Sequence, residues 1–228
     1  MTLLLRVRQN SQKYTHIYMK RPFYTVLAAQ FFSSLADNAL ILASIALLRE
    51  ILNDPTPGDT EPLLKFFFTI AYVVLAPFVG AFADSRPKGT VMFITNLIKV
   101  VGCSIMLLGV SPLMAMVIVG LGAAAYSPAK YGIVTELVPA KDLVAANGWI
   151  ETLTVLSIIF GTVLGGFLSS PGVHTWLVGH YPTWSLSPGL TAVTMICVIY
   201  GIAALLNKMI PDSGVRYRKQ HIHPVALT

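Results

Sequence analysis

Six runs of about twenty or more apolar residues limit what this sequence can fold into. A helix must hold about twenty apolar residues to cross the hydrocarbon core of a bilayer. The runs lie at residues 23–48, 64–83, 90–110, 112–130, 144–169 and 187–210. Their interiors do not alternate between apolar and polar residues, as the strands of a membrane barrel do. The sequence therefore predicts an all-α membrane protein, with six transmembrane helices in one bundle spanning residues 23–210.

Lysine and arginine are unevenly distributed among the segments that join these runs. Five basic residues precede the first run, Arg86 and Lys88 follow the second, Lys141 follows the fourth, and three lie in residues 211–228. The opposite connections hold only Arg49 and Lys65, set among acidic residues, and the last of them holds no Lys or Arg. Because basic loops stay in the cytoplasm, both termini are expected there. Residues 1–22 then form a cytoplasmic segment, and residues 211–228 form a basic tail or the start of a central linker. We expect a multi-pass protein of the bacterial inner membrane.

Composition narrows the class of function. The chain is 55% apolar, 11% charged and carries a net charge of +6, which the basic cytoplasmic segments and their attraction to membrane lipids explain. No folded basic face suggests a nucleic-acid partner. Neither a Ser-His-Asp grouping nor a glycine-rich phosphate loop is present, so we expect no enzyme and no cofactor. Cys103 and Cys197 lie in apolar runs, and His174 and His180 lack an acidic neighbour, so no metal site is expected.

Asp37 and Asn38 lie near the middle of the first run. An ionisable side chain at that depth costs several kcal/mol unless it is paired or faces water. The short side chain of Asp37 cannot reach the membrane surface. One interpretation is a residue lining a polar cavity, which binds a cation or a cationic headgroup or carries a proton. The other is a structural hydrogen bond to a neighbouring helix.

Three more polar residues lie inside apolar runs. Lys99 lies in the third run, and Asn147 and Glu151 lie in the fifth. Because Asn147 and Glu151 are four residues apart, they share one face of a helix, which we expect to point inward. A pair between Lys99 and Glu151 is geometrically conceivable. All three residues are candidates for a functional role. For Lys99 the alternative is a structural one, in which its long side chain extends toward the membrane surface.

The densest polar signal is the segment 122–132, Gly-Ala-Ala-Ala-Tyr-Ser-Pro-Ala-Lys-Tyr-Gly. Pro128 is expected to break the helix there, because proline leaves a backbone carbonyl without its donor. Tyr126, Lys130 and Tyr131 cluster around that break near the cytoplasmic end. They form either an anion or phosphate contact centred on Lys130, or a basic anchor with interfacial aromatics.

Two further features concern packing. Gly161 and Gly165 are four apart, which is typical of helices that approach each other closely. Residues 171–187 contain prolines and aromatic residues and are expected to form a long loop with its aromatics at the membrane surface.

The connection at residues 80–89, Gly-Ala-Phe-Ala-Asp-Ser-Arg-Pro-Lys-Gly, resembles the motif between the second and third helices of the major facilitator superfamily. We expect Gly80 to permit close helix contact, Asp84 to cap or pair at a helix end, and Arg86, Lys88 and Gly89 to hold the turn in the cytoplasm. The resemblance implies a gating motif that latches the two halves of a transporter in one conformation. It also implies that this chain is the N-terminal half of such a fold.

A narrower resemblance is carried by residues 36–40, 76–80, 122–132 and 146–148. Together these segments are similar to the bacterial lysophospholipid transporter family. The resemblance implies movement of lysophospholipids, such as lysophosphatidylethanolamine, from the outer to the inner leaflet, where an acyltransferase partner re-acylates them. It further implies that Asp37 and Asn38 meet the headgroup or help to switch conformation, and that Lys130 suits the phosphate.

Members of the superfamily have about twelve spans, so this chain is expected to need a C-terminal half or a second copy. Two alternatives stay open. One is a proton-coupled antiporter of drugs or small solutes, with Asp37 as the proton carrier. The other is a non-transporting subunit that docks an acyltransferase or another lipid enzyme.

Overall fold

The computed structural model describes residues 2–53, 60–181 and 183–214, and within these ranges all regular structure is helical. The helices are α1 (Thr2–Leu52), α2 (Thr60–Asp84), α3 (Lys88–Leu107), α4 (Pro112–Leu137), α5 (Leu143–Leu168), α6 (Pro171–His180) and α7 (Pro188–Lys208), with a 3-10 turn at Ala140–Asp142 before α5.

Each predicted span corresponds to one of the longer helices. Five are long and apolar enough to cross a membrane by length and composition. They are Arg21–Leu52 within α1, Lys88–Leu107, Pro112–Leu137, Ala140–Leu168 and Pro188–Lys208. The remaining predicted span is α2, which contains a shorter apolar stretch at Pro62–Leu75. The prediction of an all-helical, multi-pass membrane protein is confirmed for the described part of the chain.

Helix α1 lies at the centre of the bundle. It packs chiefly against α5 and α7, while α3 packs against α4 and α7, and α2 packs against α4. Two glycines bring α5 against α1, because a Cβ built on Gly161 would lie 2.5 Å from the carbonyl oxygen of Leu35, and one on Gly165 would overlap the backbone of Ala39. The close packing predicted for these glycines is confirmed.

The prediction of a helix break at Pro128 is wrong. Helix α4 runs without interruption from Pro112 to Leu137, with Pro128 inside it. The turns after the proline bury Ala129, Ile133 and Val134 completely or almost so. This packing against neighbouring helices offsets the hydrogen bond that proline cannot make, as is common in membrane helices.

The prediction of an irregular loop at residues 171–187 is also wrong in part. Its first ten residues form α6, which begins with Pro171 at a position where proline is favoured. The hydroxyl of Ser170 accepts a hydrogen bond from the backbone N–H of Val173 and caps this helix. The connection between α5 and α7 therefore carries a short helix at one end of the bundle.

At the same end, the last turn of α1 is tied to the start of α7. The hydroxyl of Ser187 and the backbone N–H of Gly189 donate hydrogen bonds of 2.5 and 2.8 Å to the two carboxylate oxygens of Glu50. A carboxylate is favoured at a helix N-terminus because the unpaired N–H groups there carry partial positive charge. Glu50 thus ties the last turn of α1 to the first turn of α7, next to the close contact between Gly189 and the backbone of Leu47.

Candidate functional site

The centre of the bundle contains a buried ion pair between α1 and α3. The ammonium of Lys99 lies 2.8 Å from both carboxylate oxygens of Asp37. The side chain of Lys99 is 1% exposed and that of Asp37 is 18% exposed. The lysine is therefore sealed inside the protein, whereas the Asp37 side chain keeps partial access to its surroundings.

Helix α7 supplies the next contact of this ion pair. The hydroxyl of Tyr200 donates a 2.7 Å hydrogen bond to Oδ1 of Asp37, and Tyr200 itself is fully buried. The rings of Tyr200 and Tyr126 also lie 5.5 and 5.2 Å from the Lys99 ammonium, within the range of a cation–π contact. Asp37 is thus held by two donors from two different helices.

Two further polar side chains, Ser33 of α1 and Asn96 of α3, continue the hydrogen bonding of the ion pair. Lys99 donates to the hydroxyl of Ser33 at 3.0 Å, and Ser33 donates to the side-chain oxygen of Asn96 at 2.8 Å. Ser33 precedes Asp37 by one helical turn and Asn96 precedes Lys99 by three residues, so each pair shares a face of its helix. We name Ser33, Asp37, Asn96, Lys99 and Tyr200 the central network.

Small residues on α4 make room for Lys99. A Cβ built on Gly122 would lie 2.8 Å from the Cγ of Lys99 and 2.7 Å from the carbonyl oxygen of Thr95. The next three residues, Ala123, Ala124 and Ala125, are buried around the circumference of the same turn. The small residues of segment 122–132 thus admit a lysine side chain between α3 and α4.

A second group of polar residues links α4 and α5. The ammonium of Lys130 lies 4.4 Å from the centre of the Tyr131 ring, and the Tyr131 hydroxyl donates a 2.6 Å hydrogen bond to Glu151. Lys130 is almost buried, whereas Tyr131 and Glu151 are exposed. We name these three residues the α4–α5 cluster, in which a nearly buried cation lies beneath an exposed tyrosine and an exposed acid.

A groove of about 330 Å³ adjoins this cluster on α2 and α4. It is lined by Tyr72 and Gly80 of α2 and by Ser127, Pro128 and Tyr131 of α4, among others. Tyr72 and Tyr131 are both exposed here. The groove thus combines apolar walls with hydroxyl groups, which suits an amphipathic ligand.

The predicted site residues have different partners in the structure from those considered in the sequence analysis. A pair between Lys99 and Glu151 is wrong, because Lys99 pairs with Asp37 and Glu151 pairs with Tyr131. Tyr126 does not join Lys130 and Tyr131, because it is buried against Lys99 instead.

The two asparagines lie apart from these partners. Asn38 donates to the backbone oxygen of Ser34 at 2.8 Å, on its own helix. Asn147 shares a face of α5 with Glu151, and both side chains are exposed in this chain, so their inward orientation in a complete transporter stays a prediction.

The residues of the gating motif occupy the turn between α2 and α3. Lys88 opens α3, is buried, and donates a 3.0 Å hydrogen bond to the backbone oxygen of Ala83 near the end of α2. Arg86 is exposed and stacks over the Phe82 ring at 4.9 Å. Lys88 therefore caps a backbone carbonyl near the C-terminus of α2 from a buried position, while Arg86 remains at the surface.

The other motif residues differ in what they contact. A Cβ on Gly89 would lie 3.1 Å from the Cβ of Ile210, so this glycine admits the chain after α7. A Cβ on Gly80 would meet nothing within 4 Å, so the close helix contact expected at Gly80 is wrong for this chain. Asp84 is the last residue of α2, and its side chain lies outside what the structure describes.

Sequence reasoning missed Tyr200, Ser33 and Asn96. Tyr200 lies in an apolar run, where a tyrosine gives no signal that its hydroxyl reaches an acid on another helix. Ser33 and Asn96 are polar residues inside predicted spans, and their spacing from Asp37 and Lys99 was a usable signal. Among the described residues, no three His, Cys, Asp or Glu side chains are grouped to hold a metal ion.

Comparisons with known proteins agree with this architecture. The family model of the Major Facilitator Superfamily matches residues 26–223. The lysophospholipid transporter LplT of Yersinia enterocolitica (serotype O:8) is 39% identical over 210 residues, covering 92% of this chain and 47% of the relative. The LplT of Pectobacterium carotovorum is 38% identical over 209 residues, with the same coverage. The chain thus spans about half the length of these curated relatives.

A solved structure shares the fold. It is a bacterial homologue of the human lysosomal transporter Spinster, in an inward-facing and unoccupied conformation. The match has a TM-score of 0.62 at 17% identity, and it covers 90% of this chain and 47% of the other. The helical bundle described above therefore corresponds to about half of that transporter.

Proposed function

The chain belongs to the Major Facilitator Superfamily, and we propose that it forms the N-terminal half of a transporter that moves lysophospholipids from the outer to the inner leaflet of the bacterial inner membrane. Both termini then lie in the cytoplasm, with the gating motif between α2 and α3 on the same side. The similarity to relatives named lysophospholipid transporters, over 92% of this chain, is the observation that carries the proposal.

The geometry fits a zwitterionic headgroup. Lysophosphatidylethanolamine carries a phosphate and an amine, so its site needs a cation and an acid. Lys130 offers the cation beside a groove with apolar walls and tyrosine hydroxyls. Asp37 offers a carboxylate on a partly exposed side chain. Lys130 then contacts the phosphate, and Asp37 meets the amine.

The central network suggests how binding is linked to movement. Lys99 already neutralises Asp37, so an amine or a proton that binds the carboxylate must compete with Lys99. Loosening that pair weakens the connection of α1 to α3 and, through Tyr200, to α7. We therefore expect binding at Asp37 to change how tightly α1, α3 and α7 are held together.

Alternating access requires two halves that rock around a site between them. We therefore expect this chain to act with a C-terminal six-helix half or with a second copy of itself. An acyltransferase that re-acylates the delivered lipid is the further partner that this function implies.

The test is uptake of fluorescent lysophosphatidylethanolamine by spheroplasts that lack their own transporter. They express this chain alone and then together with a second six-helix half. Uptake that requires both halves supports the proposal, and uptake by the chain alone supports a dimer. Absence of uptake in both cases, with the protein inserted in the membrane, contradicts it.

Paired variants locate the phosphate contact. Losing a charge-assisted contact of about 1.5–3 kcal/mol lowers affinity by roughly tenfold or more, so Lys130→Ala should reduce uptake by that order. Lys141→Ala is the matched control, because Lys141 is an exposed lysine on the 3-10 turn and removes the same charge. Equal losses for both variants would refute a specific role for Lys130.

Two other functions give different results in the same cells. For a proton-coupled antiporter, lysolipid is not taken up, and Asp37→Asn abolishes proton-coupled exchange of another solute. For a docking subunit, Asp37→Asn leaves function intact, because docking needs no acid inside the membrane.

A further inference from the structure

A second groove lies at the end of the bundle where α5 ends and α7 begins. It has a volume of about 520 Å³ and is bounded by α5, α6 and α7. Leu168 of α5, Leu177 of α6 and Met195 of α7 contribute to its walls. A volume of this size is within the range of about 300–1,000 Å³ that small-molecule sites occupy.

The lining of this groove is apolar and contains no ionisable side chain. Its one hydroxyl side chain is Ser170, which already accepts a hydrogen bond from the backbone of Val173. Water in such a groove would lack the two to four polar partners that a bound water needs. The groove therefore favours a hydrocarbon occupant over water.

The position of the groove indicates where that hydrocarbon comes from. Helices α5 and α7 are both long and apolar enough to span a membrane. The rim of the groove is continuous with apolar side chains that face away from the bundle, including Val163 and Phe167 of α5. Trp176 and Tyr181, both exposed, lie in and just after α6, and these residue types favour the membrane–water boundary. A membrane-spanning helix, an apolar rim and aromatic residues at its end are the features of a groove that opens to lipid near the membrane surface.

We propose that this groove holds one acyl chain of a bilayer phospholipid, with α6 lying over the end of the chain near the headgroup. The site is distinct from the proposed transport site, and it stands whether or not the protein moves lysophospholipids. Its recessed walls, Leu168 and Leu177, are 8% and 7% exposed, so bulk lipid that merely coats the protein does not reach them.

Photolabelling tests the site directly. The purified chain is reconstituted in vesicles of phosphatidylethanolamine and phosphatidylglycerol, with a small fraction of phosphatidylethanolamine carrying a diazirine in one acyl chain. After illumination, labelled residues are mapped by mass spectrometry. We expect labels at Leu168, Leu177 and Met195, on three different helices, in addition to labels at exposed positions such as Val163.

A pair of glycines on α6 supplies the variant and its control. Gly172 lines the groove, and a Cβ built there would meet only the Ser170 hydroxyl oxygen, at 4.0 Å. The first carbon of a side chain at Gly172 therefore has room, and Gly172→Leu is the variant expected to fill the groove. Gly179 lies on the same helix outside the groove, and a Cβ there meets nothing within 4 Å. Gly179→Leu makes the same chemical change without filling the groove.

The expected result is a several-fold loss of labelling at Leu168 and Leu177 in Gly172→Leu. Labelling at Val163 and the melting temperature stay unchanged, and Gly179→Leu resembles the parent protein. Recessed residues that remain unlabelled in the parent, or labels that persist in Gly172→Leu, would overturn the proposal. So would labelling of these residues by a single-chain lysophospholipid probe but not by the two-chain probe, because the groove would then belong to the transport substrate.

Discussion

The ammonium of Lys99 lies 2.8 Å from both carboxylate oxygens of Asp37, and this contact joins α3 to α1 in the interior of a membrane bundle. A lone charge in that position would be costly, whereas a paired charge is tolerated. Each residue therefore accounts for the presence of the other, and Tyr200 completes the arrangement from α7.

Removing only one charge of this pair should be more harmful than removing both. Lys99→Met leaves Asp37 unpaired, and we expect the free energy of unfolding to fall by about 3–5 kcal/mol. Adding Asp37→Asn should recover much of that loss, because no unpaired charge then remains. The measurement is thermal unfolding in detergent, with Lys208→Met at the exposed end of α7 as the control. A double variant as unstable as the sum of the two single variants would argue against the pair.

The two tyrosines beside Lys99 should differ in function. Both rings contact the ammonium, but only the Tyr200 hydroxyl bonds to Asp37. If Asp37 binds the headgroup, Tyr200→Phe should weaken lysolipid uptake by roughly tenfold, since hydrogen bonds to charged groups contribute about 1.5–3 kcal/mol. Tyr126→Phe should retain uptake near that of the parent. Measuring the concentration dependence separates a change in apparent affinity from a change in maximal rate, and equal effects of both variants would count against a positioning role for Tyr200.

The interface between α1 and α5 should not tolerate a methyl group at Gly165. A Cβ there would lie 2.8 Å from the Cα of Ala39, and neither backbone can move without shifting its helix. We expect Gly165→Ala to lower the free energy of unfolding by about 1–3 kcal/mol. Gly201→Ala on α7 is the control, because its Cβ meets nothing within 4 Å, and it should leave stability unchanged or slightly raised. Melting temperatures of the two variants in the same detergent provide the test.

The contact between α1 and α7 depends on the carboxylate of Glu50. Glu50→Ala removes both acceptors for Ser187 and Gly189, and we expect a loss of about 1 kcal/mol, below the roughly 1.5–3 kcal/mol of a charged hydrogen bond because Glu50 is exposed to solvent. Glu50→Gln keeps one acceptor oxygen and should lose less. Hydrogen exchange of the first turn of α7 should increase in the same order. Unchanged exchange in Glu50→Ala would show that α7 is capped without this side chain.

The sequence by itself determined the helical class of the protein, because a segment that crosses a bilayer must satisfy its own backbone hydrogen bonds and must be apolar over a sufficient length. These are local properties, so the predicted spans match the helices. The resemblance to the major facilitator superfamily and to its lysophospholipid transporters is likewise confirmed, since motifs are read directly from residues. The close approach at Gly161 and Gly165 followed from residue size.

The tertiary structure alone decided which polar groups meet. Sequence spacing shows which face of its own helix a residue occupies, but not which helix lies opposite, because that depends on how every helix is rotated and packed. A pair between Lys99 and Glu151 was therefore conceivable from the sequence, yet Lys99 binds Asp37. Tyr126, which was expected beside Lys130, packs against Lys99 instead. Pro128 remained helical because the turns after it are buried by neighbouring helices, a stabilisation that no local rule contains. Tyr200 became part of the site only when α7 packed against α1.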